Sequence, residues 1–203
     1  MDMLDAPPIT KAIMIGSVAT SIAVQCHLVT PFQLFFTYRA AFENGQLWRV
    51  VTNFLYFGPL SLDFFFHVFF FMRYSKMLEE NTFHGQKGDY VWMLTVSCAL
   101  LLILSPLSPI PFLSSPLSFA LVYLWSRLNP SVRLSLFGVV TITAPYLPYA
   151  LVLLSWALAN SWNAVIGDLL GITVGHFWYF FTRIWSEELG SGKRNWLATP
   201  SFL

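Results

Sequence analysis

Charge is scarce in this chain: Lys, Arg, Asp and Glu together make up 10% of its 203 residues, against roughly 25% in a soluble domain. Too little polar surface is left to cover a globule in water, so lipid must be the solvent for much of this one. The net charge of +1 gives no electrostatic footprint for nucleic acid and argues against such a partner. Cysteine is equally thin. Cys26 and Cys98 both fall inside apolar segments, which reads as two small buried hydrophobes and excludes a disulfide framework or metal site. No cofactor is implied. The N-terminus lacks a charged-then-apolar leader with a small-residue cleavage site, so the first apolar segment is expected to stay as a membrane span. Linkers, low-complexity stretches, internal repeats and soluble domains are missing as well.

What fills the chain instead is apolar: hydrophobic residues reach 56% and mean hydropathy is +0.62. They gather into six segments, at about Ile9–Val29, Leu60–Tyr74, Tyr90–Leu104, Phe112–Leu128, Pro145–Ala159 and Ala164–Phe181. Each is expected to be a helix, because a lone segment in lipid must satisfy its own backbone hydrogen bonds. The expected fold class is an all-α polytopic membrane protein of six transmembrane helices, one domain over residues 1–186, with a polar cytosolic tail at 187–203. A long aromatic-rich loop, Thr30 to Tyr56, separates the first two segments.

With both termini on one side, that side carries Lys11, Arg73, Lys76, Lys87, Arg127, Arg133, Arg183, Lys193 and Arg194. The other carries only Arg39 and Arg49, and its short turns around Pro109 and Ser161 carry no charge. The positive-inside rule therefore predicts cytosolic termini. Segments three and five hold about 15 apolar residues each, or roughly 22 Å of helix, and segment two, interrupted by Asp63 and His67, approaches that length. A hydrocarbon core is about 30 Å thick. Such short spans must be met by bilayer thinning or local entry of water.

The ionisable residues inside these segments are the functional candidates. Asp63 and His67 are four apart, on one face of segment two; the plainer alternative is an aspartate near the lumenal end and a neutral hydrogen-bonding histidine. Trp48-Arg49, in the loop before segment two, suits the headgroup level, an amphipathic ring beside a cation for lipid phosphate, or a simple interfacial anchor. Gly167, Gly171 and Gly175 recur every four residues on segment six, a stripe that admits another backbone. Asp168 and His176 flank it; Asp168, about one turn in, can face a wet cavity, and His176 lies deeper. Ser114, Ser115 and Ser118 open segment four. A pairing of Ser118 with His176 would suggest an intramembrane serine protease. With the two segments starting level, Ser118 lies roughly 9 Å below its helix start and His176 roughly 18 Å below its own, too far for the contact of about 3 Å that a nucleophile and its base require.

Several stretches together resemble the Derlin family of the rhomboid pseudoprotease group, through nearly the whole chain. They are Gly45-Gln-Leu-Trp48-Arg49, Phe54-Leu-Tyr-Phe-Gly58-Pro59, Arg73-Tyr74-Ser-Lys-Met-Leu78-Glu79-Glu80, Leu121-Val-Tyr-Leu-Trp125-Ser126-Arg127-Leu-Asn129-Pro130 and Asp168-Leu-Leu-Gly171-Ile-Thr-Val-Gly175-His176. The resemblance implies a rhomboid-like fold without protease chemistry. Laying the active rhomboid pattern on this chain puts Leu117 near the serine position and Asp168 at the histidine position. It further implies a role in endoplasmic-reticulum-associated degradation, with Trp48, Arg49, Gly171 and Gly175 at the family's functional positions. The implied partners are misfolded protein clients, a membrane ubiquitin ligase, a cytosolic AAA ATPase, membrane lipid and a second copy of the chain. Many Derlins carry a cytosolic tail with a short ATPase-binding motif. The sequence here stops at Thr199-Pro200-Ser201-Phe202-Leu203, where family tails usually continue, as in a trimmed or naturally short tail. Two rival classes remain for comparison: an intramembrane protease, which needs a Ser–His pair at one depth, and a small-solute transporter, which usually shows internal repeats and discontinuous helices.

Overall fold

A computed structural model describes residues 6–107, 110–136, 140–185 and 197. The tail expected at 187–203 therefore lies outside the described residues except for Leu197, and so does the turn at Pro109. Eight α-helices are described: α1 (Pro8–Gln25), α2 (Pro31–Leu34), α3 (Trp48–Leu55), α4 (Leu62–Met77), α5 (Lys87–Leu104), α6 (Ser114–Leu128), α7 (Leu147–Ala159) and α8 (Trp162–Tyr179). Two strands, β1 (Arg133–Leu136) and β2 (Val140–Thr143), pair antiparallel between α6 and α7. Single π-helical turns, Leu78–Thr82 and Phe180–Ile184, extend α4 and α8, and a third stands alone at Arg39–Glu43.

The exterior is apolar as well as the core, and polar side chains are set into the interior. Phe65, Phe69, Ile103, Leu153 and Leu169 face outward, while Ser97, Ser114, Ser118, Ser126, Ser155 and Asp168 are buried. An apolar exterior around a polar-studded interior is what lipid as solvent selects. The six-span expectation needs correction. Among the described residues, only Lys87–Leu107 (21 residues) and Trp162–Ile184 (23 residues) are long and apolar enough to cross a membrane by themselves. The molecule is a polytopic helical membrane protein, but not one of six full-length spans. The reason is length for α7, with 13 residues, and α6, with 15, roughly 20–23 Å of helix, and charge for α4, which Leu78–Thr82 prolongs but which carries Arg73, Lys76, Glu79 and Glu80 towards that end. The buried face of α1 consists of Thr10, Ser17 and Ser21. Segment three is corrected in the opposite sense. It was expected to be short, yet α5 begins three residues earlier at Lys87 and its apolar run continues to Leu107.

At the centre stands α6, buried along nearly its whole length from Ser114 to Ser126. Such all-round burial explains how a helix of 15 residues is held without reaching both headgroup layers: protein, not lipid, is its solvent. Tyr74 of α4 packs on Trp125 with ring centroids 5.0 Å apart. Alongside runs α8, whose glycines remove the Cβ atoms that would hold it away. A Cβ on Gly171 would overlap the Pro116 carbonyl, and one on Gly175 would lie 2.7 Å from Ala120 O. Gly167 differs, since what it faces is the Ile110 side chain.

The end of the molecule that carries the start of α1 is tied by one carboxylate. Glu79 is buried, and its oxygens accept from Ile9 N (3.1 Å), Thr10 N (2.9 Å) and Thr10 Oγ1 (2.7 Å). These are the N–H groups that the first turn of a helix leaves unsatisfied, and a negative charge suits the positive end of its dipole. Ser75 Oγ then links Thr10 Oγ1 and Tyr90 OH, 2.6 Å to each. This joins α1, α4 and α5.

Candidate functional site

The long loop between α1 and α4 is organised by Arg49. Its Nη1 donates to the carbonyls of Phe32 and Phe35, both at 2.6 Å, and its Nε to Gln46 Oε1 at 2.6 Å. A planar guanidinium can bind several acceptors at once in fixed geometry. Trp48 beside it points outward, 56% exposed, with Val51 on the same short helix and Leu47 just before it also exposed, while Asn53 and Phe54 are buried. Trp48 and Arg49 are thus neighbours in sequence with separate tasks: the ring faces the surroundings and the cation folds the loop. Thr52 Oγ1 to Leu34 O (3.3 Å) and Ser114 Oγ to Tyr56 O (2.7 Å) fasten that loop to α3 and to the start of α6. Burial raises the Tyr56 phenol above its ordinary range.

Three polar side chains from three helices meet behind that loop. Ser115 Oγ of α6 donates to Asp168 Oδ1 of α8 at 2.7 Å and lies 3.4 Å from His67 Nδ1 of α4. Asp168 is buried, 1% exposed. The three residues line a cleft of about 170 Å³, together with Tyr56, Ser114 and Ser155. His67 and Ser155 also line an apolar groove between α4 and α7, with Phe66, Phe70, Leu151 and Leu154. A polar pocket therefore adjoins an apolar slot between α4 and α7, with His67 and Ser155 lining both.

The rhomboid pattern placed Leu117 near the serine position; the structure corrects this, since Ser115 is the residue that faces Asp168. The equal-depth assumption fails as well. Ser115 is the second residue of α6 and Asp168 the seventh of α8, so α6 starts roughly 8 Å deeper than α8. Ser118 and His176 still do not meet: Ser118 Oγ donates to Ser114 O within its own helix. His176 Nδ1 instead lies 2.7 Å from Tyr123 OH. That hydroxyl also accepts from Arg127 Nε at 3.1 Å, so His176 belongs to a Tyr123–Arg127 cluster and not to a serine. Gly167, Gly171 and Gly175 sit on the α6-facing side of α8, and the Asp63 side chain lies outside the described residues.

A Ser–His pair at one depth is present after all, in Ser115 and His67, but the order of groups is wrong for a nucleophile. In a serine protease the imidazole stands between serine and carboxylate and takes the serine proton. Here serine stands in the middle and gives its proton to the carboxylate. With that proton committed, the group that His67 Nδ1 presents to Ser115 Oγ must be a donor, so it cannot act as base on this oxygen. No group of three or more His, Cys, Asp or Glu able to hold a metal occurs among the described residues. Ser115, Asn53 and Glu79 are the residues that sequence reasoning passed over. Ser115 is one of three serines with nothing to single it out, and only its place in the family-like stretch Arg73–Glu80 hints at Glu79.

Residues 6–201 match the family model described as the Der1-like family. Derlin-2.1 of Arabidopsis thaliana is 38% identical over 209 residues, covering 97% of this chain and 83% of that protein. Derlin-2.1 of Zea mays is 37% identical, covering 97% and 81%, and a probable derlin-2 homolog of Dictyostelium discoideum is 35% identical over 204 residues, covering 97% and 78%. With the family model spanning almost the whole chain and the protease geometry broken at Ser115, the chain belongs to the Derlin family, membrane pseudoproteases of endoplasmic-reticulum-associated degradation.

Proposed function

We propose that this Derlin helps misfolded proteins return from the endoplasmic reticulum to the cytosol by thinning and wetting the bilayer locally and by engaging the client between α4 and α7. The observation that carries this reading is the pairing of short helices with a polar cleft. α7, 13 residues long, covers about two thirds of a hydrocarbon core, and beside it Ser115, His67 and Asp168 line a cleft that adjoins the α4–α7 groove. A charged side chain at the bilayer centre costs about 2.5–3.5 kcal/mol on insertion scales. A thinner, wetter path lowers that cost for a polar polypeptide. In this reading six segments traverse the membrane, four of them short or polar, and both termini face the cytosol. There a membrane ubiquitin ligase and an AAA ATPase take over the client, and lipid and a second copy of the chain complete the assembly. Trp48 holds the loop at the lumenal headgroups and Arg49 keeps it folded.

A photo-crosslinking residue in place of Leu154, on the groove, tests this in microsomes loaded with an arrested lumenal client. Crosslinks to the client are expected, and far fewer from Ile103, on the outer face of α5. Equal labelling from both positions would remove the groove as the route.

A further inference from the structure

Asn53 is 1% exposed, yet neither Oδ1 nor Nδ2 of its carboxamide has a hydrogen-bond partner among the described residues. Buried polar side-chain atoms are nearly always paired, so an idle donor and an idle acceptor on one group mark a place for something else to bind. The backbone is not idle: Asn53 O accepts from Leu113 N at 3.3 Å, which pins the residue between α3 and the start of α6. The side chain lines a second cleft, about 380 Å³, walled by Phe35, Phe36, Pro106, Ile110 and Leu113. None of the described lining residues is charged, so a phosphate finds no counter-charge. The wall formed by Phe35 to Thr37 is a strap outside regular structure. One end is gripped by Arg49 through the Phe35 carbonyl, and the other is latched by Tyr38 OH, which donates to Leu102 O at 2.8 Å.

We propose that Asn53 is the recognition group of a subsite for the polypeptide main chain. Nδ2–H donates to a carbonyl of an extended apolar segment, and Oδ1 accepts the N–H of the same residue. In an extended chain the N–H and C=O of one residue point to the same side, and a carboxamide offers the matching donor and acceptor side by side. The apolar walls suit the side chains of a misfolded segment. Recognition through backbone groups is indifferent to sequence, as a protein acting on many clients requires. The amide atoms are shut off from solvent in the resting chain, so binding follows displacement of the strap, with the Tyr38 hydroxyl as its latch. This assignment rests on the client reading given above and specifies which chemistry of the client is read.

The test uses the full chain in lipid nanodiscs and a fluorescent apolar peptide of about ten residues, compared with its backbone N-methylated analogue, which cannot donate. Wild-type protein is expected to bind the unmethylated peptide about tenfold more tightly, the worth of one or two net hydrogen bonds. Asn53→Leu, of similar size, is expected to bind both alike, and Tyr38→Phe to bind the unmethylated peptide more tightly than wild type. Equal binding of the two peptides by wild type overturns the subsite and leaves the client reading intact. No binding of either peptide by wild type overturns both. A retained preference in Asn53→Leu also overturns the subsite. Thermal melts verify that the variant is folded, and should it not fold, the two-peptide comparison on wild type decides alone.

Discussion

Ser115 carries the argument about chemistry at the scale of single residues. Its proton is directed to Asp168 and not to an imidazole, so the hydroxyl lacks the general base that activates a serine nucleophile. A fluorophosphonate probe is expected to leave the purified protein unlabelled, and Ser115→Ala to change nothing. Labelling that disappears in Ser115→Ala would overturn the pseudoprotease assignment. Arg49 invites a second test. Lysine has the charge but not the planar fork, so Arg49→Lys is expected to lose part of the grip on the Phe32 and Phe35 carbonyls and Arg49→Ala all of it, at about 1.5–3 kcal/mol. Faster proteolytic nicking between residues 30 and 45, measured on protein in nanodiscs, reports the loosened loop; unchanged nicking in both variants sinks this role. The glycines separate by what they face. Gly171→Ala drives a Cβ into the Pro116 backbone and is expected to cost about 1–3 kcal/mol. Gly167→Ala crowds the Ile110 side chain, which can turn aside, and reaches Pro116 Cγ only at ordinary contact distance, so it should cost less. The ranking of melting temperatures checks this.

The helices themselves were the most legible level, and their relative placement the least. Apolar runs locate α4 to α8 because each must bury or expose whole faces, and the four-residue glycine repeat marks the side of α8 that meets α6. Periodicity says nothing of how far one helix slides along another. That offset put Ser115, not Leu117, opposite Asp168, and it comes from loop lengths and packing. The hairpin of β1 and β2 was also unread: RLSL and VTIT are four residues each, too short for an alternation to stand out beside the long apolar runs. The task assigned to α7 depends on its length, so length is the variable to change. Inserting four leucines after Leu153 adds one turn, about 6 Å, and brings the helix nearer the full hydrocarbon thickness. Client degradation is expected to fall while expression and helicity by circular dichroism hold. Undiminished turnover would mean that the shortness of α7 is ordinary mismatch.

For the whole molecule, the disposition of charge is the readable feature. Nine of eleven basic residues fall on one side under the six-segment topology. A C-terminal tag is therefore expected to be digested by protease added outside sealed microsomes, without detergent; a tag protected until detergent is added would reverse the orientation. The same side holds the clasp in which Glu79 caps α1. Glu79 lies 70 residues after Ile9 and 69 after Thr10 in sequence, which has a consequence for biosynthesis. On leaving the ribosome α1 cannot complete its own N-terminal turn; the carboxylate that satisfies it arrives only after α4 has been made. A nascent chain halted before residue 79 should hold α1 loosely in the membrane, open to the attention of insertion factors, and one halted some tens of residues later should hold it fast. The protein that is proposed to handle misfolded chains is itself, for that interval, an incompletely folded one.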